Sequence, residues 1–419
     1  MKVVLFMIFA IQCTVVYGAR ILVIESCGSY SHWQYMKSIV DVLTKRHHVT
    51  AITPILSGDQ QNYTEIDATS VFPVYGERDT MDLIESYSSV FHMVPLYPKN
   101  SFERSICDSF YAFEPVKRIL KANDGSAKAN RFDMIVMEPF YSSCLSYLAY
   151  RLRIPEVHVY PSSLSTSLEL MVEPNSNYVF NPLLKGLNLH RYIPIQLQYF
   201  YAKFVPLLTE IRMKYKKPRR YDVVGLNHKP SGVLSNMLNI VDTPRRSIEN
   251  MERIGGIHLK PPNALPDDVL QFIEDSPHGV IYISFGSISS MSNLPDNIQQ
   301  AFVGMFEKVP QRILWKYNGK TIYLPKNVMT KKWLPQRDIL LHPNVKLFIS
   351  HGGISGIYEA IDAGVPILGF PLFYDQPRNM GFLVQHGIAL SMDILTVNKE
   401  SLLKNVQELL YNEKYDQYV

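Results

Sequence analysis

"VKLFISHGGISGIYEA", Val345 to Ala360, runs from continuous apolar sequence through a histidine and a glycine pair into residues with helical spacing. Apolar residues without alternation are the mark of a strand buried on both faces of a parallel sheet. A helix that starts immediately afterwards brings its first N–H groups, which have no intrahelical partners, to the end of that strand. The positive end of the helix macrodipole points the same way, so the corner favours an anion such as a diphosphate. His351, Gly352, Gly353 and Gly356 crowd it. A Gly-rich turn also serves as a plain tight connection, so its meaning depends on what surrounds it.

The same rhythm fills the second half of the chain. "GVIYISFGS" (279–287), "RILWKY" (312–317), "VKLFIS" (345–350) and "VPILGFP" (365–371) read as strands, with helices in "NIQQAFVGMFEKV" (297–309) and "GGISGIYEAIDAG" (352–364). It also fills the front. "ARILVIES" (19–26), "HVTAITP" (48–54), "RFDMIVMEP" (131–139) and "PEVHVYPSS" (155–163) are strands, with helices in "WQYMKSIVDVLTKR" (33–46) and "SSCLSYLAYRL" (142–152). Strand and helix in alternation predict parallel sheets covered on both faces. Between about 160 and 240 the pattern loosens into Tyr, Phe, Pro and Asn, with a helix predicted only around 196–215. "ERIGGIHLKPPNALPDD" (252–268) has the paired Gly and repeated Pro of a linker. The predicted organisation is therefore a first α/β domain over 19–243, a linker over 244–265 and a second α/β domain over 266–419.

Composition agrees with two domains. The 419 residues are 47% hydrophobic, too long for one ordinary core, and the formal charge of +4 comes from 42 basic and 38 acidic residues. That balance speaks against nucleic acid as a partner. The one basic run, "RMKYKKPRR" (212–220), reads as a solvated helix end, with contact to an anionic membrane surface as the alternative. Residues 1–18, "MKVVLFMIFAIQCTVVYG", read as a secretory signal peptide, which places the chain in the endoplasmic reticulum lumen or outside the cell. There "NYT" makes Asn62 a glycosylation sequon. Cys27, Cys107 and Cys144 are too few to frame a fold of this size. No later stretch is long and apolar enough for a transmembrane helix. Neither a G-x-G-x-x-G opening on the first strand nor a P-loop is present, which removes the main support for a nicotinamide enzyme or an NTPase.

What surrounds the opening corner is specific. "WLPQRDILLHPNVKLFISHGGISGIYEAIDAGVPILGFPLFYDQ", Trp333 to Gln376, resembles the signature of the UDP-glycosyltransferase family along its whole length. W-x-P-Q, H-x-G, a glutamate and D-Q stand in register. The resemblance extends through "GGIHLK", "LPDD" and "GVIYISFGS" to "SYSHW" and "FDMIVMEP" near the front, and "PLFYDQPRN" is closest to invertebrate members.

The resemblance implies a GT-B fold, two doubly wound Rossmann-like domains facing across a cleft, with acceptor bound by the first and UDP-sugar by the second. By similarity Trp333 would stack on uracil, Gln336 would lie near the ribose and Glu359 would accept from both ribose hydroxyls. His351, Gly353, Ser355, Gly356 and Ser287 would hold the diphosphate, and Asp375 and Gln376 the sugar hydroxyls. Many members carry Asn where this chain has Ser355. His32, in "SYSHW", would be the general base, oriented by Glu138, where the family's usual partner is an aspartate.

With no D-x-D motif, neither a metal nor a cofactor is expected, and UDP-sugar is a co-substrate. The expected acceptor is a small lipophilic alcohol or phenol, met by the aromatic stretch over 160–205 unless that stretch is core. The expected donor is UDP-glucose, with UDP-glucuronate second. Family members continue through a further helical stretch, a membrane span and a basic tail, whereas this sequence stops at Val419. That leaves a second reading beside the active transferase, a catalytically silent UDP-sugar-binding form that associates with full-length relatives.

Overall fold

The computed structural model describes residues 18–76, 80–82, 84, 102–122, 131–138, 145–162, 230–237, 250–289, 291–319 and 323–415. Most of the predicted signal peptide, the predicted helix at 196–215, the basic run at 212–220, Cys144 and nearly all of the aromatic stretch lie outside these residues.

The first sheet is built from β1 (Arg20–Ile24), β2 (His48–Thr53), β3 (Tyr63–Asp67), β4 (Met134–Met137), β5 (Glu156–Tyr160), β6 (Gly232–Ser235) and β7 (Met251–Arg253). Its order is β3-β2-β1-β4-β5-β6-β7, with every pairing parallel. Helix α1 (Tyr30–Leu43) covers one face, where Trp33, Met36 and Val40 meet Ile21, Val23 and Ala51. Helices α2 (Phe102–Ala112), α3 (Glu114–Ala122) and α4 (Ser146–Leu152) cover the other, bringing Ile106, Phe110, Val116 and Leu148 onto Leu22, Ile24 and Ile135. Both faces of β1 are thus dry. This is why "ILVI" is apolar without interruption.

The second sheet has β8 (Val280–Ser284), β9 (Arg312–Lys316), β10 (Val328–Lys331), β11 (Val345–Ser350), β12 (Ile367–Gly369) and β13 (Ala389–Ser391) in the order β10-β9-β8-β11-β12-β13, again all parallel. Leu347 and Ile349 of β11 face α6 (Asp296–Phe306) and α10 (Lys399–Tyr411). Val345 and Phe348 face the side covered by α5 (Asp267–Glu274), α8 (Ile354–Ala363) and α9 (Gln376–Gln385). Phe348 stacks on Tyr282 of β8 with ring centroids 5.3 Å apart. A short helix, α7 (Gln336–Leu340), leads into β11.

Two features differ from the sequence reading, and the cysteines add a third observation. The predicted linker starts too early, because Met251–Arg253 pairs with β6 as the edge strand of the first sheet. His32, expected in a loop, is in the first turn of α1. Cys107 is disulfide-bonded, while Cys27 is a free, buried thiol. The remainder of the linker, from Ile254, has no helix or strand and is held on both sides. Lys260 pairs with Asp41 of α1 at 2.7 Å, Arg337 Nε donates to the Lys260 carbonyl at 2.8 Å, and the Asn263 amide donates to Asp338 at 2.8 Å. No described helix is long and apolar enough to cross a membrane.

Asn62 has a structural task. It sits at φ 61°, and its side-chain nitrogen donates to the Thr44 carbonyl at 3.1 Å. Glycosylation replaces one of the two hydrogens on that nitrogen and leaves the other to donate to Thr44.

Two glycines calibrate the fold. Gly28, at φ 67°, receives loop 71–76 so closely that a Cβ would lie 1.9 Å from the Pro73 carbonyl oxygen. Gly364, at φ 74°, only closes the C-terminus of α8. Gly364→Ala is expected to cost about 1 kcal/mol of stability, and Gly28→Ala more than about 2 kcal/mol, because backbone must move as well. Denaturant unfolding of both variants measures the difference, and equal costs would show that the Pro73 loop gives way.

Candidate active site

In each sheet the strand order reverses beside its first strand, between β1 and β4 and between β8 and β11. At such a switch point the two neighbouring strand-to-helix loops diverge and leave a crevice for a ligand. Both crevices contain residues predicted from the sequence.

In the second domain β8 ends at Ser284 and turns through Gly286 and Ser287, while β11 ends at Ser350 and enters α8 through His351, Gly352 and Gly353. The His351 ring lies between the two loops. A Cβ on Gly286 would come 2.9 Å from its Nε2, and one on Gly353 would come 2.6 Å from the same atom. The glycines are there because the imidazole fills the room a side chain would need. Burial and the Lys316 ammonium push the His351 pKa down to about 4, against a hydrogen bond with the Ser284 backbone. The ring is therefore neutral at neutral pH. Its buried Nδ1 has no hydrogen-bond partner among the described residues, and a buried polar atom of that kind needs an explanation such as a ligand.

Gly353 is the N-cap of α8, and Ser355 and Gly356 lie in its first turn. The N–H groups there have no partners within the helix. The Ser355 carbonyl accepts from His258 of the linker at 3.1 Å. One turn further on, Glu359 accepts from Gln336 Nε2 at 2.6 Å, and burial raises its pKa, opposed by that bond and by Arg337. Trp333, which precedes α7, is 57% exposed. Such an indole is not a core aromatic; the Lys316 ammonium lies over its ring at 4.7 Å and the Tyr30 ring of the first domain is 6.2 Å away.

Asp375 caps the start of α9 and accepts from Asn379 at 2.9 Å. Asn379 also donates to the Gly352 carbonyl at 3.1 Å, so the two loops are tied together. Gln376 is buried, and its side-chain oxygen accepts from the Leu372 and Phe373 amides at 2.8 and 3.0 Å. That oxygen is committed to the turn, which leaves the NH2 group as the end able to serve a sugar.

In the first domain Ser29 precedes α1, and His32 projects from its first turn to Glu138, immediately after β4. His32 Nδ1 and Glu138 Oε1 are 2.5 Å apart, with Glu138 fully buried and the imidazole 22% exposed. Burial pushes the His32 pKa down, but the Glu138 carboxylate and the contact with the Cys27 thiol outweigh it and hold the ring well above 6.5. A second buried carboxyl, Glu25, is pushed up to about 8 by burial and by Glu138, against hydrogen bonds from the Gly28 and Cys27 amides. The longer glutamate in place of the expected aspartate still reaches its histidine. The two domains meet electrostatically as well: burial raises the Asp375 pKa, and among the groups opposing it is His32.

The fold thus brings Ser287, His351, Gly353, Ser355 and Gly356 to one loop pair, Gln336 and Glu359 into contact, and His32 and Glu138 into contact. Sequence reasoning missed Lys316, whose ammonium donates to the Gly286 carbonyl at 2.5 Å and sits 4.7 Å from the Trp333 ring. Its signal was available: a lysine closing an otherwise apolar strand, "RILWK", beside β8. Asn379, Glu25 and Cys27 gave no comparable signal.

The family profile described as "UDP-glucoronosyl and UDP-glucosyl transferase" matches residues 19–419. UDP-glucosyltransferase 2 of Dactylopius coccus is 29% identical over 98% of this chain and 81% of its own length. An ecdysteroid UDP-glucosyltransferase of Spodoptera littoralis nuclear polyhedrosis virus is 31% identical over 95% of this chain and 82% of its own. Among solved structures, UDP-glucose:anthocyanidin 3-O-glucosyltransferase in complex with UDP matches with a TM-score of 0.65 at 15% identity, covering 96% of this chain and 92% of that one, a likeness of fold. With GT-B architecture and a family match across the sequence after its first eighteen residues, the chain belongs to the UDP-glycosyltransferase family and is a glycosyltransferase that uses a UDP-sugar.

Proposed function

We propose that the chain is an inverting transferase that moves a hexose, glucose in the first instance, from its UDP-sugar to a hydroxyl of a small lipophilic alcohol or phenol, with His32 as general base. The observation that carries this is the His32–Glu138 contact at the switch point of the first domain, within electrostatic reach of Asp375 at the start of α9 in the second. A silent UDP-sugar-binding partner subunit has no need of that pair.

The acceptor oxygen attacks the anomeric carbon as His32 takes its proton, and the bond to UDP breaks on the opposite face. An α-linked donor then gives a β-glycoside. Glu138 holds the ring in one orientation and stabilises the imidazolium that forms. Negative charge grows on the leaving diphosphate, where the amides of the first turn of α8, the Ser287 loop and His351 are already placed, so they act on the transition state. Trp333 takes the uracil, Glu359 and Gln336 the ribose, and Asp375 with the Gln376 amide the sugar. Lys316 adds a cation beside the Gly286 loop. Glucose and a lipophilic hydroxyl are supported by the names of the relatives, one of which acts on an ecdysteroid. UDP-glucuronate is the competing donor. Turnover in the secretory lumen fits the leader sequence, and contact with a membrane surface or with longer relatives is compatible with it.

Kinetics, pH dependence and UDP binding each test this reading. His32→Ala lowers kcat by about 10²–10⁴-fold with UDP affinity unchanged; UDP release from UDP-glucose with a panel of phenols measures it, and a variant as fast as the parent would remove His32 as the base. Protonated His32 cannot accept a proton, so kcat/KM rises with pH through a pKa above 6.5. Glu138→Gln removes the influence that raises it, so the acidic limb moves to lower pH while the maximal rate falls; an unmoved limb assigns the titration to another group. In calorimetric titration with UDP, Trp333→Ala is expected to weaken binding by roughly 1–3 kcal/mol, the usual worth of base stacking on an aromatic ring, and Lys316→Met to weaken it more at low salt than at high salt.

A further inference from the structure

Among the described residues, Cys27, His32 and Glu138 form one group able to hold a metal ion: a thiol sulfur, an imidazole nitrogen and a carboxylate oxygen, all within 4.8 Å of one another. They come from two elements that meet at the first switch point. Cys27 lies between β1 and α1, His32 in the first turn of α1 and Glu138 at the end of β4. Cys27 and Glu138 are buried, and the partial exposure of His32 gives the group an opening to solvent.

Two carboxylate oxygens beside the group, Glu138 Oε2 and Glu25 Oε2, are buried and lack hydrogen-bond partners among the described residues. Unpaired buried oxygens of this kind are costly, and a divalent cation among them satisfies what the protein leaves open.

We propose that this group is an inhibitory site for a thiophilic divalent cation, Zn²⁺ by ligand type, built on the base of the transferase. Zinc takes a thiolate, an imidazole and a carboxylate at about 2.0–2.3 Å in a tetrahedron, which sets its ligand atoms about 3.5 Å apart. Side-chain adjustments of about an ångström bring this group to that spacing. Three protein ligands leave a fourth position for water, on the open side of the imidazole. On binding, the Cys27 proton and the proton of a charged His32 imidazole pass to solvent, and the thiolate and the Glu138 carboxylate balance the +2 charge. The His32 nitrogen that ligates the ion gives up its lone pair, and Glu138 is drawn from its role as partner. Transfer stops until the ion is removed. A hard cation such as Mg²⁺, which prefers oxygen ligands and octahedral geometry, has no match here.

The inhibitory half of this inference rests on His32 being the base, whereas coordination does not, so the test reads both. Zn²⁺ is titrated against UDP release for the parent, Cys27→Ser and Cys27→Ala, each relative to its own metal-free rate, with Mg²⁺ as control and EDTA added at the end. Half-inhibition of the parent is expected at a Zn²⁺ concentration at least about tenfold below that for either variant, consistent with loss of one protein ligand, with full recovery on EDTA. In parallel Co²⁺ is added to parent and variants, and the near-ultraviolet thiolate-to-cobalt charge-transfer absorption is expected only in the parent. Equal zinc sensitivity in parent and variants, or no thiolate band in the parent, overturns the site. A thiolate band with unimpaired turnover overturns the inhibition and counts against His32 as the base.

Discussion

A parallel strand delivers its own carboxyl end and the amino end of the next helix to the same edge of the sheet. Everything functional in this chain depends on that constraint. Backbone N–H groups at a helix start have no partners inside the helix, so the edge is polar even where the sheet behind it is wholly apolar. Where the strand order reverses, beside β1 and beside β8, neighbouring loops part and the polar edge becomes a crevice. The glycines at 286, 352 and 353 belong to this constraint. Gly286 and Gly353 leave room for the His351 ring, which a Cβ on either would displace, and Gly352 leaves room for the Met380 side chain.

Two histidines mark the two crevices, and their environments push them in opposite directions. His351 is buried beside Lys316 and is held neutral. His32 is half-buried beside the buried Glu138 and is held ready to carry a proton. Neither difference comes from the imidazole. A neighbouring cation disfavours a charged ring, and a neighbouring carboxylate favours it. Titratable groups pushed apart in this way often divide the chemistry of a site between them: a neutral ring for the leaving diphosphate, and a basic one for the incoming hydroxyl.

The first crevice carries more acid than one base requires. Glu25, Cys27 and Glu138 are all buried there, and burial together with the neighbouring Glu138 pushes the Glu25 carboxyl up to about 8. The exchange of aspartate for glutamate at 138 is absorbed without losing contact with His32. The linker works at longer range. Through Lys260, His258 and Asn263 it ties α1 to α8 and α7, the helices that carry His32, Ser355 and Gln336.

Much of this was legible in the residue order. The unbroken apolar runs fixed the parallel strands, the Gly-rich corners located the ends that bind, and the register from Trp333 to Gln376 named the family. The short edge strands β7, β10 and β13 escaped, because three or four residues show little periodicity and their pairing is with distant sequence. Roles that need a neighbour escaped too. Glu138 lies 106 residues from His32, and Lys316 lies 30 from Gly286. Asn62 reads as a sequon and Gln376 as a sugar ligand, but only the structure shows that the Asn62 amide also donates to the Thr44 carbonyl and that the Gln376 oxygen is held by two backbone amides. Sequence by itself determined which elements form and which chemistry they could carry, since both follow from residue type and local spacing. Tertiary structure alone decided which groups are charged, which are already bonded and which share a cavity, because burial and Coulomb interaction depend on distance in space and not along the chain.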